Sequence, residues 1–332
     1  MSVRESLVKH LSSILRSSDA TLMVLLSDES GLSIARIGRN TDLELDPNTI
    51  TSVSAAAFSS SDENWSDLQM ENQIITFSFF EKICLITIRI SQTLLTIVHD
   101  YNKEWPLNAD TIGSCIYHLR REIDNYFGTR NVTQNMEIFS NSVRSAIYLF
   151  GMGSEVSLTT YGNSQPQDRN KIILINDILD SVKNPVLAVY SLVAPSGLTF
   201  DHRNKNLVNL PISVEAFSAN TNVAFQKMVE EAGSLKMGSL LSYVCLSAKN
   251  RDSYYGIIAC PSSKFQFTDT STGATAVQDI TFIALFPLTY GAIPVLGEIR
   301  NIVHSIQKVV GSEQTTELFI KSINSLCTAK FS

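Results

Sequence analysis

Apolar residues recur along this chain with two periods, one typical of helices and one typical of strands. The opening segment places Leu7, Val8, Leu11 and Leu15 on one helical face. Two apolar runs of strand length follow, and then a Ser- and Ala-rich helix, three more apolar runs and a closing amphipathic helix. The three later runs are joined by two-residue turns, which require antiparallel neighbours. The pattern therefore predicts a five-stranded antiparallel sheet flanked by helices.

The same order of elements returns in the second half of the chain. Each half contains a hairpin that turns through Ser-Gly-Leu, and the two turn glycines, Gly31 and Gly197, lie 166 residues apart. Glycine suits such a turn because it reaches positive φ without a clash of its Cβ. A proline that opens the following helix, Pro47 or Pro211, recurs after 164 residues. A shared order at a nearly constant offset indicates a duplicated domain.

Local signals predict where the elements of the first half begin and end. Asp46 before Pro47 is a good helix cap with proline at the first helical position. We expect this helix to give way to a polar, acidic loop at residues 60–72, which carries Trp65. The predicted meander and closing helix comprise residues 73–80, 83–90, 93–99 and 111–127.

A helix and a loop predicted in the second half are longer than their counterparts in the first half. A helix is expected from Pro211 to about Ala232, and a Thr/Ser-rich loop at residues 265–279. The fold class is α+β, with two tandem domains that each contain a five-stranded antiparallel sheet. The predicted organisation is a first domain at residues 1–130, a helical linker at 131–170, a second domain at 171–311 and a C-terminal helix at 312–332.

The composition and net charge indicate a folded protein and argue against some functions. The chain has 332 residues, 44% of them hydrophobic and 17% charged, which is ordinary for folded protein. Its net charge of −6, without a cluster of Lys and Arg, argues against nucleic-acid binding. The five cysteines are widely spaced and form no C-x-x-C motif, so we expect free thiols and a cytoplasmic location.

One uncharged stretch reaches the length of a membrane span. Residues 280–297 contain no charged residue, but two prolines and the turn formers Thr289, Tyr290 and Gly291 divide them. We interpret the stretch as a buried strand, a turn and the start of a helix. No integral membrane segment is therefore expected.

Residues that could perform catalysis do not come together in the sequence. The chain has no G-x-x-x-x-G-K-[ST] phosphate loop, and no G-x-S-x-G nucleophile elbow. The five histidines do not pair at metal-ligand spacing. We therefore expect no enzymatic activity, no catalytic residues, no cofactor and no metal site.

The order of elements resembles the roadblock family, named for a dynein light chain. The resemblance lies in the hairpin with Ser30-Gly31-Leu32, the helix that begins at Asp46-Pro47, the meander and the helix at residues 111–127. It recurs, more divergently, over residues 171–310. The longin and profilin folds share parts of this architecture and remain alternatives, especially for the second half.

The resemblance implies both an assembly and a function. Roadblock domains usually pair through the edge strand of the meander and the second helix, so this chain would be such a dimer fused into one polypeptide, an intrachain pseudo-dimer. We therefore expect the strand at residues 73–80 to lie at or near a strand at residues 240–248, because both edges would otherwise be exposed. The helices that begin at Asp46 and Pro211 should then meet on one face. Such domains typically regulate or tether small Ras-like GTPases. The expected partner is therefore a small GTPase, or another roadblock- or longin-type protein. The candidate partner-binding residues on the paired helices and adjoining loops are Trp65, Thr51, Ser54, Asn220 and Gln226.

Two other functions stay open at this point. A ligand-sensing module would have a pocket between sheet and helix, and a hydrolase would have a site that the sequence does not reveal. A homo-oligomer is a further alternative for the assembly. A deep, polar-lined pocket would favour sensing, whereas a flat surface on the helix pair would favour a scaffold.

Overall fold

A computed structural model describes residues 3–71, 73–100, 107–127, 133–154, 156–162, 171–182, 184–233, 238–250, 253–268 and 275–310. The first half contains four helices and five strands within these residues. They are α1 (Val3–Arg16), β1 (Thr21–Asp28), β2 (Ser33–Gly38), α2 (Pro47–Asp67), β3 (Gln73–Phe80), β4 (Cys84–Ile90), β5 (Thr93–His99), α3 (Ala109–Phe127) and α4 (Thr133–Phe150).

The second half adds three helices and five strands in the described residues. They are α5 (Lys171–Ser181), β6 (Val189–Val193), β7 (Thr199–Asn204), α6 (Val214–Ala232), β8 (Leu240–Asn250), β9 (Ser253–Thr268), β10 (Thr275–Pro287) and α7 (Ala292–Val310). This mixture of helices and antiparallel strands confirms the predicted α+β class.

All ten strands belong to one sheet. Its order is β2-β1-β5-β4-β3-β8-β9-β10-β6-β7, so the strands of the first half occupy one side and those of the second half the other. The two sides meet where β3 pairs antiparallel with β8, with Thr76 opposite Cys245. The sequence predicts that these two strands adjoin, and the structure confirms it. Their pairing removes two exposed sheet edges, which would otherwise be open to other chains.

The helices divide unequally between the two faces of the sheet. Apolar residues of α1, α3, α4, α5 and α7 pack in the core on one face. The other face is covered by α2 and α6, whose buried residues form a second core with the opposite side of the strands. Every second residue of a strand points to the same face, so the strands supply both cores at once.

Side-chain caps define where several helices begin. The Asp46 carboxylate accepts from the backbone N–H of Thr49 at 2.9 Å, which confirms the predicted cap of α2. Helix α6 begins at Val214 and not at Pro211, because the Ser213 hydroxyl accepts from the N–H of Ala216 and caps the helix there.

Two loops predicted from polar composition are regular structure instead. Residues 60–67 continue α2, because Ser61, Asn64 and Trp65 share its buried face. The polar composition of this segment suggests a loop, although its buried residues recur at helical spacing. Strands β9 and β10 extend through most of the stretch predicted as a loop at residues 265–279, because they pair with each other as far as Thr268 and Thr275.

The uncharged stretch at residues 280–297 has the predicted form. It contains the end of β10, a turn with Gly291 at φ +81°, and the start of α7. None of the helices in the described ranges is both long enough and apolar enough to span a membrane. The four described cysteines are free and buried. Cys327, the helix predicted at residues 312–332 and residues 163–169 of the linker lie outside the described residues, and the domain boundaries stay predictions.

Candidate protein-binding face

Helices α2 and α6 lie side by side on the same face of the sheet. The side-chain amide of Asn220 on α6 donates to the carboxylate of Asp67 on α2 at 2.9 Å. Beneath them, the Tyr243 hydroxyl of β8 bonds to the Ser61 hydroxyl of α2, and it lies 3.4 Å from the carbonyl oxygen of Ala57. The contact of these two helices is predicted from the sequence and is confirmed. It places one helix from each half in a common outer surface.

The structure corrects the role expected for Trp65. This residue lies in the last turn of α2 with only 1% of its surface exposed. Its indole N–H donates to the side-chain carbonyl oxygen of Gln73 at 3.1 Å, and the Gln73 amide donates in turn to the carbonyl oxygen of Phe58. A buried tryptophan usually needs such a partner. Trp65 therefore fixes α2 onto β3, and its buried ring has no exposed surface with which to act as a partner-binding residue.

The other four candidate residues divide between the inside and the outside of the helix pair. Thr51 and Ser54 are buried on the inner face of α2, so their side chains have no surface to offer a partner. Asn220 is exposed and Gln226 is half-buried on α6. Small polar residues occur on both the buried and the exposed face of a helix. Composition alone therefore does not show that Thr51 and Ser54 are buried.

The outward-facing side chains of the helix pair form the surface that we call the helix-pair face. They are small or polar on α2, whereas α6 adds the aliphatic residue Val223, with 51% of its surface exposed, and Val229 near the end of the same helix is 39% exposed. The apolar signal of Val223 is readable in the sequence, but its outward direction is not. The members of the face are Ser52, Ser59, Glu63, Ser66 and Asp67 on α2 and Ala216, Asn220, Val223, Lys227 and Glu230 on α6.

The helix-pair face carries negative charge. Its exposed carboxylates are Glu63, Asp67 and Glu230, and Lys227 is the exposed cation of α6; a further exposed carboxylate, Glu215, lies beside the face at the start of α6. Hydrogen bonds from its own backbone N–H and from the Ser213 hydroxyl hold the pKa of Glu215 below its usual value, so this carboxylate is ionised at neutral pH. The face therefore favours a partner surface of positive charge.

Each Ser-Gly-Leu hairpin presents an exposed leucine beside one of these helices. Leu32 is 71% exposed and Leu198 is 64% exposed. Gly31 touches the backbone of α2 so closely that a Cβ would lie 2.8 Å from Ser52 Cα, and its φ of +88° suits only glycine. The strand registers place the two hairpin tips at opposite ends of the sheet. The leucines therefore flank the helix-pair face at diagonally opposite corners.

Two open grooves adjoin the same helices. One, of about 620 Å³, lies between the end of α6 and strands β8 to β10, and Phe225, Val229 and Ile280 line it together with Lys264 and Asp279. The second, of about 440 Å³, lies at the end of α2 and is lined mainly by polar and acidic residues. They are Ser59, Asp62, Glu63, Trp65, Ser66, Met70 and Glu71.

The titratable groups in the described part of the chain form no group of three or more metal-ligating side chains. Burial lowers the pKa of His99 to about 3, so its imidazole is neutral inside the fold. Burial raises the pKa of the Cys115 thiol to about 11, and it raises the thiol pKa of Cys84, Cys245 and Cys260 as well. These thiols are protonated at neutral pH, whereas a nucleophilic cysteine is a thiolate.

No protein-family profile matches this sequence, and no curated protein matches it. Solved structures are similar to parts of it. The gliding protein MglB from Thermus thermophilus is 17% identical, with a TM-score of 0.34, over 38% of this chain and 93% of its own. MglB from Myxococcus xanthus is 15% identical, with a TM-score of 0.29, over 37% of this chain and 97% of its own. A Roadblock/LC7 domain from Streptomyces avermitilis is 15% identical, with a TM-score of 0.27, over 36% and 97%.

Proposed function

We propose that this chain is a regulator or scaffold without catalytic activity of its own, that its two halves act as an intrachain pseudo-dimer of roadblock type, and that a small Ras-like GTPase binds on the helix-pair face. One observation carries the proposal. A helix from each half lies on the same face of a continuous sheet, with Asn220 and Asp67 bonded between them, so both halves contribute to one surface.

The size of the helix-pair face suits a protein partner. Helix α2 has 21 residues and α6 has 19, so each is about 30 Å long. Two helices, each about 10 Å wide with side chains, offer roughly 600 Å². A stable complex covers about 800 Å² on each partner. The exposed leucines of the two hairpin tips, Leu32 and Leu198, would supply much of the difference.

The chemistry of the face suggests how a partner would be recognised. Small side chains such as Ser52, Ser59 and Ala216 lose little conformational entropy when they are covered. The surrounding carboxylates attract a basic surface and would speed its approach. Because such steering is screened by ions, the association rate should fall as salt is added.

The proposal is tested by titrating the full chain with a panel of purified small Ras-like GTPases, each loaded with GDP or with a non-hydrolysable GTP analogue. We expect saturable binding to at least one of them, with an affinity that depends on the nucleotide. The chain alone should bind neither GTP nor ATP. Stoichiometric nucleotide binding by the chain itself, or no binding across the panel, would contradict the proposal.

A second candidate, a ligand-sensing module, is favoured by the groove between α6 and strands β8 to β10. Its walls combine apolar Phe225 and Ile280 with the ion pair of Lys264 and Asp279, whose charged atoms are 3.7 Å apart. If this groove binds a metabolite, a small-molecule library should contain compounds that raise the melting temperature. A Val229→Trp substitution, which fills the groove, should then abolish that increase.

A further inference from the structure

Residues 156–161, a part of the connection between α4 and α5, lie along α7. We call residues 156–161 the strap. The side chain of Asn301 on α7 forms two hydrogen bonds with the main chain of the strap. Its carbonyl oxygen accepts from the N–H of Thr159 at 3.2 Å, and its amide donates to the carbonyl oxygen of Ser157 at 3.1 Å. The Ser305 hydroxyl accepts from the N–H of Tyr161 at 2.8 Å.

Further contacts hold both ends of the strap. The Arg300 guanidinium donates to the carbonyl oxygen of Val156. The strap approaches α7 closely here because Gly297 has no side chain, and a Cβ at that position would lie 2.8 Å from Val156 Cβ. At the other end, the Tyr161 hydroxyl donates to the Glu298 carboxylate. The strap is therefore held by a row of α7 side chains over most of its length.

The strap explains an unusual feature of α7, which is a row of polar side chains that are buried. Glu298, Asn301 and Ser305 are almost fully covered, although the opposite side of the helix already packs in the core. Burying such groups is costly unless they form hydrogen bonds. Here the main chain of the strap supplies several of the partners. We call Glu298, Asn301 and Ser305 the polar row of α7. The strap occupies the site that these three side chains form.

Most of these contacts recognise the main chain and not the side chains. Four of them reach carbonyl oxygens or N–H groups, and the hydroxyls of Thr160 and Tyr161 make the side-chain contacts. Leu158 points its side chain to solvent. Every extended peptide presents main-chain groups at this spacing. The polar row can therefore hold other extended segments, with a preference for a hydroxyl donor where Tyr161 meets Glu298.

We propose that the polar row of α7 is a second binding site, for an extended polypeptide segment, and that the strap occupies it within the chain. An external segment must then displace the strap. Tethering keeps the strap at an effective concentration of roughly millimolar, so the site stays closed to weak ligands. Strap release exposes the polar groups of α7 to water, which can solvate them, and it removes the Tyr161 ring from its contact with the core.

The first test is amide hydrogen exchange in the wild-type chain, read residue by residue by NMR. The N–H groups of Thr159 and Tyr161 donate to α7, whereas those of Leu158 and Thr160 have no protein acceptor within the described residues. We expect the N–H groups of Thr159 and Tyr161 to exchange about tenfold more slowly than those of Leu158 and Thr160. A tenfold difference corresponds to a hydrogen bond of about 1.4 kcal/mol. Asn301→Ala should remove the protection of Thr159 and keep that of Tyr161. Uniform exchange along the strap would overturn the proposal.

The second test uses a synthetic peptide with the sequence of residues 154–163. The double substitution Thr159→Pro and Tyr161→Pro removes both N–H donors of the strap, because proline has no N–H, and it also removes the Tyr161 hydroxyl that donates to Glu298. This variant should bind the peptide at least tenfold more tightly than wild type does. A peptide with Leu158→Ala should bind equally, and one methylated on the nitrogens of Thr159 and Tyr161 should not bind. Equal binding of the methylated peptide by the folded variant would contradict main-chain recognition.

A competition experiment applies even if the double-proline variant fails to fold. Added to the wild-type chain at several millimolar, the same peptide should accelerate exchange at Thr159 and Tyr161 by displacing the strap. The methylated peptide should leave both rates unchanged. If neither peptide alters exchange while Thr159 and Tyr161 exchange more slowly than Leu158 and Thr160, the strap is a fixed part of the fold and the polar row is not an exchangeable site.

Discussion

The side-chain amide of Asn220 lies 2.9 Å from the carboxylate of Asp67, and this hydrogen bond joins helices from opposite halves of the chain. Both residues are exposed, so the bond contributes on the order of 1 kcal/mol or less. The larger contribution to the junction lies beneath it, where β3 pairs with β8 and Tyr243 reaches under α2. The bond between Asn220 and Asp67 marks the place where both halves share one outer surface.

Replacing Trp65 should reduce stability and leave the shape of the helix-pair face unchanged. Trp65→Ala removes a fully buried aromatic side chain and should lower the free energy of unfolding by about 3–5 kcal/mol. Trp65→Phe keeps most of the apolar surface but leaves the Gln73 side-chain oxygen without its indole partner, at a cost of about 1–3 kcal/mol. Urea unfolding measures both values.

The same pair of variants tests the corrected role of this residue in binding. Trp65→Phe remains folded and should bind a partner on the helix-pair face with wild-type affinity. An affinity loss of tenfold or more in this variant, with stability reduced only as predicted, would restore Trp65 as a contact residue.

The continuous sheet should make the two halves unfold as one unit. Val244 is buried on β8 opposite Phe77 of β3. Val244→Pro removes a backbone donor from the middle of the sheet and should destabilise the chain by about 3 kcal/mol or more. Circular dichroism and tryptophan fluorescence should report a single transition in the wild type that shifts to lower urea in the variant.

Val244→Ala is the matched control, because it shortens the same side chain and keeps the backbone N–H. Its cost should be clearly smaller than that of proline, and the difference reports the hydrogen-bond ladder. Two separate transitions in the wild type would show that the halves fold independently despite the shared sheet.

Much of this architecture is readable in the sequence, because its signals are local and repeated. The Asp46 cap, the two Ser-Gly-Leu turns and the pairing of β3 with β8 follow from periodicity and from the need to cover sheet edges. The sequence does not reveal which side chains of a helix face the sheet and which face the solvent. Whether Thr51, Ser54 and Trp65 face inward is decided by the helix rotation against the sheet, which polar letters do not encode.

The strap is equally hidden from sequence reasoning. Glu298, Asn301 and Ser305 read as one polar side of an amphipathic helix, which normally faces water. Their burial depends on a segment about 140 residues earlier in the chain. Contacts of that range leave no periodic signal in either partner, so only the three-dimensional structure brings the strap and the polar row together.

The burial of His99 predicts how stability depends on pH. Its folded-state pKa is about 3, whereas an exposed histidine titrates near 6.5. As the pH falls below about 6.5, the unfolded chain takes up a proton that the folded chain does not bind until about pH 3. The free energy of unfolding should therefore fall by up to about 1.4 kcal/mol for each pH unit across that window.

Urea unfolding at pH 7, 6 and 5 measures this dependence, and His99→Gln should remove much of the slope. Burial also lowers the pKa of His304, but this residue is only partly covered. His304→Gln should therefore change the slope less. An equal slope in wild type and His99→Gln would contradict a neutral, buried His99.

The most direct test of the proposed function compares two substitutions on opposite faces of the molecule. Val223 on the helix-pair face is 51% exposed, and Ile173 on α5, on the other face, is 50% exposed. Val223→Lys and Ile173→Lys thus add the same positive charge at equally exposed helical positions, and at Val223 this charge would repel a basic partner surface. The measurement is the Kd of each variant for the GTPase that binds the wild-type chain. We predict that Val223→Lys weakens binding at least tenfold and that Ile173→Lys leaves it unchanged, whereas unchanged binding in Val223→Lys, or equal losses in both variants, would contradict binding on the helix-pair face.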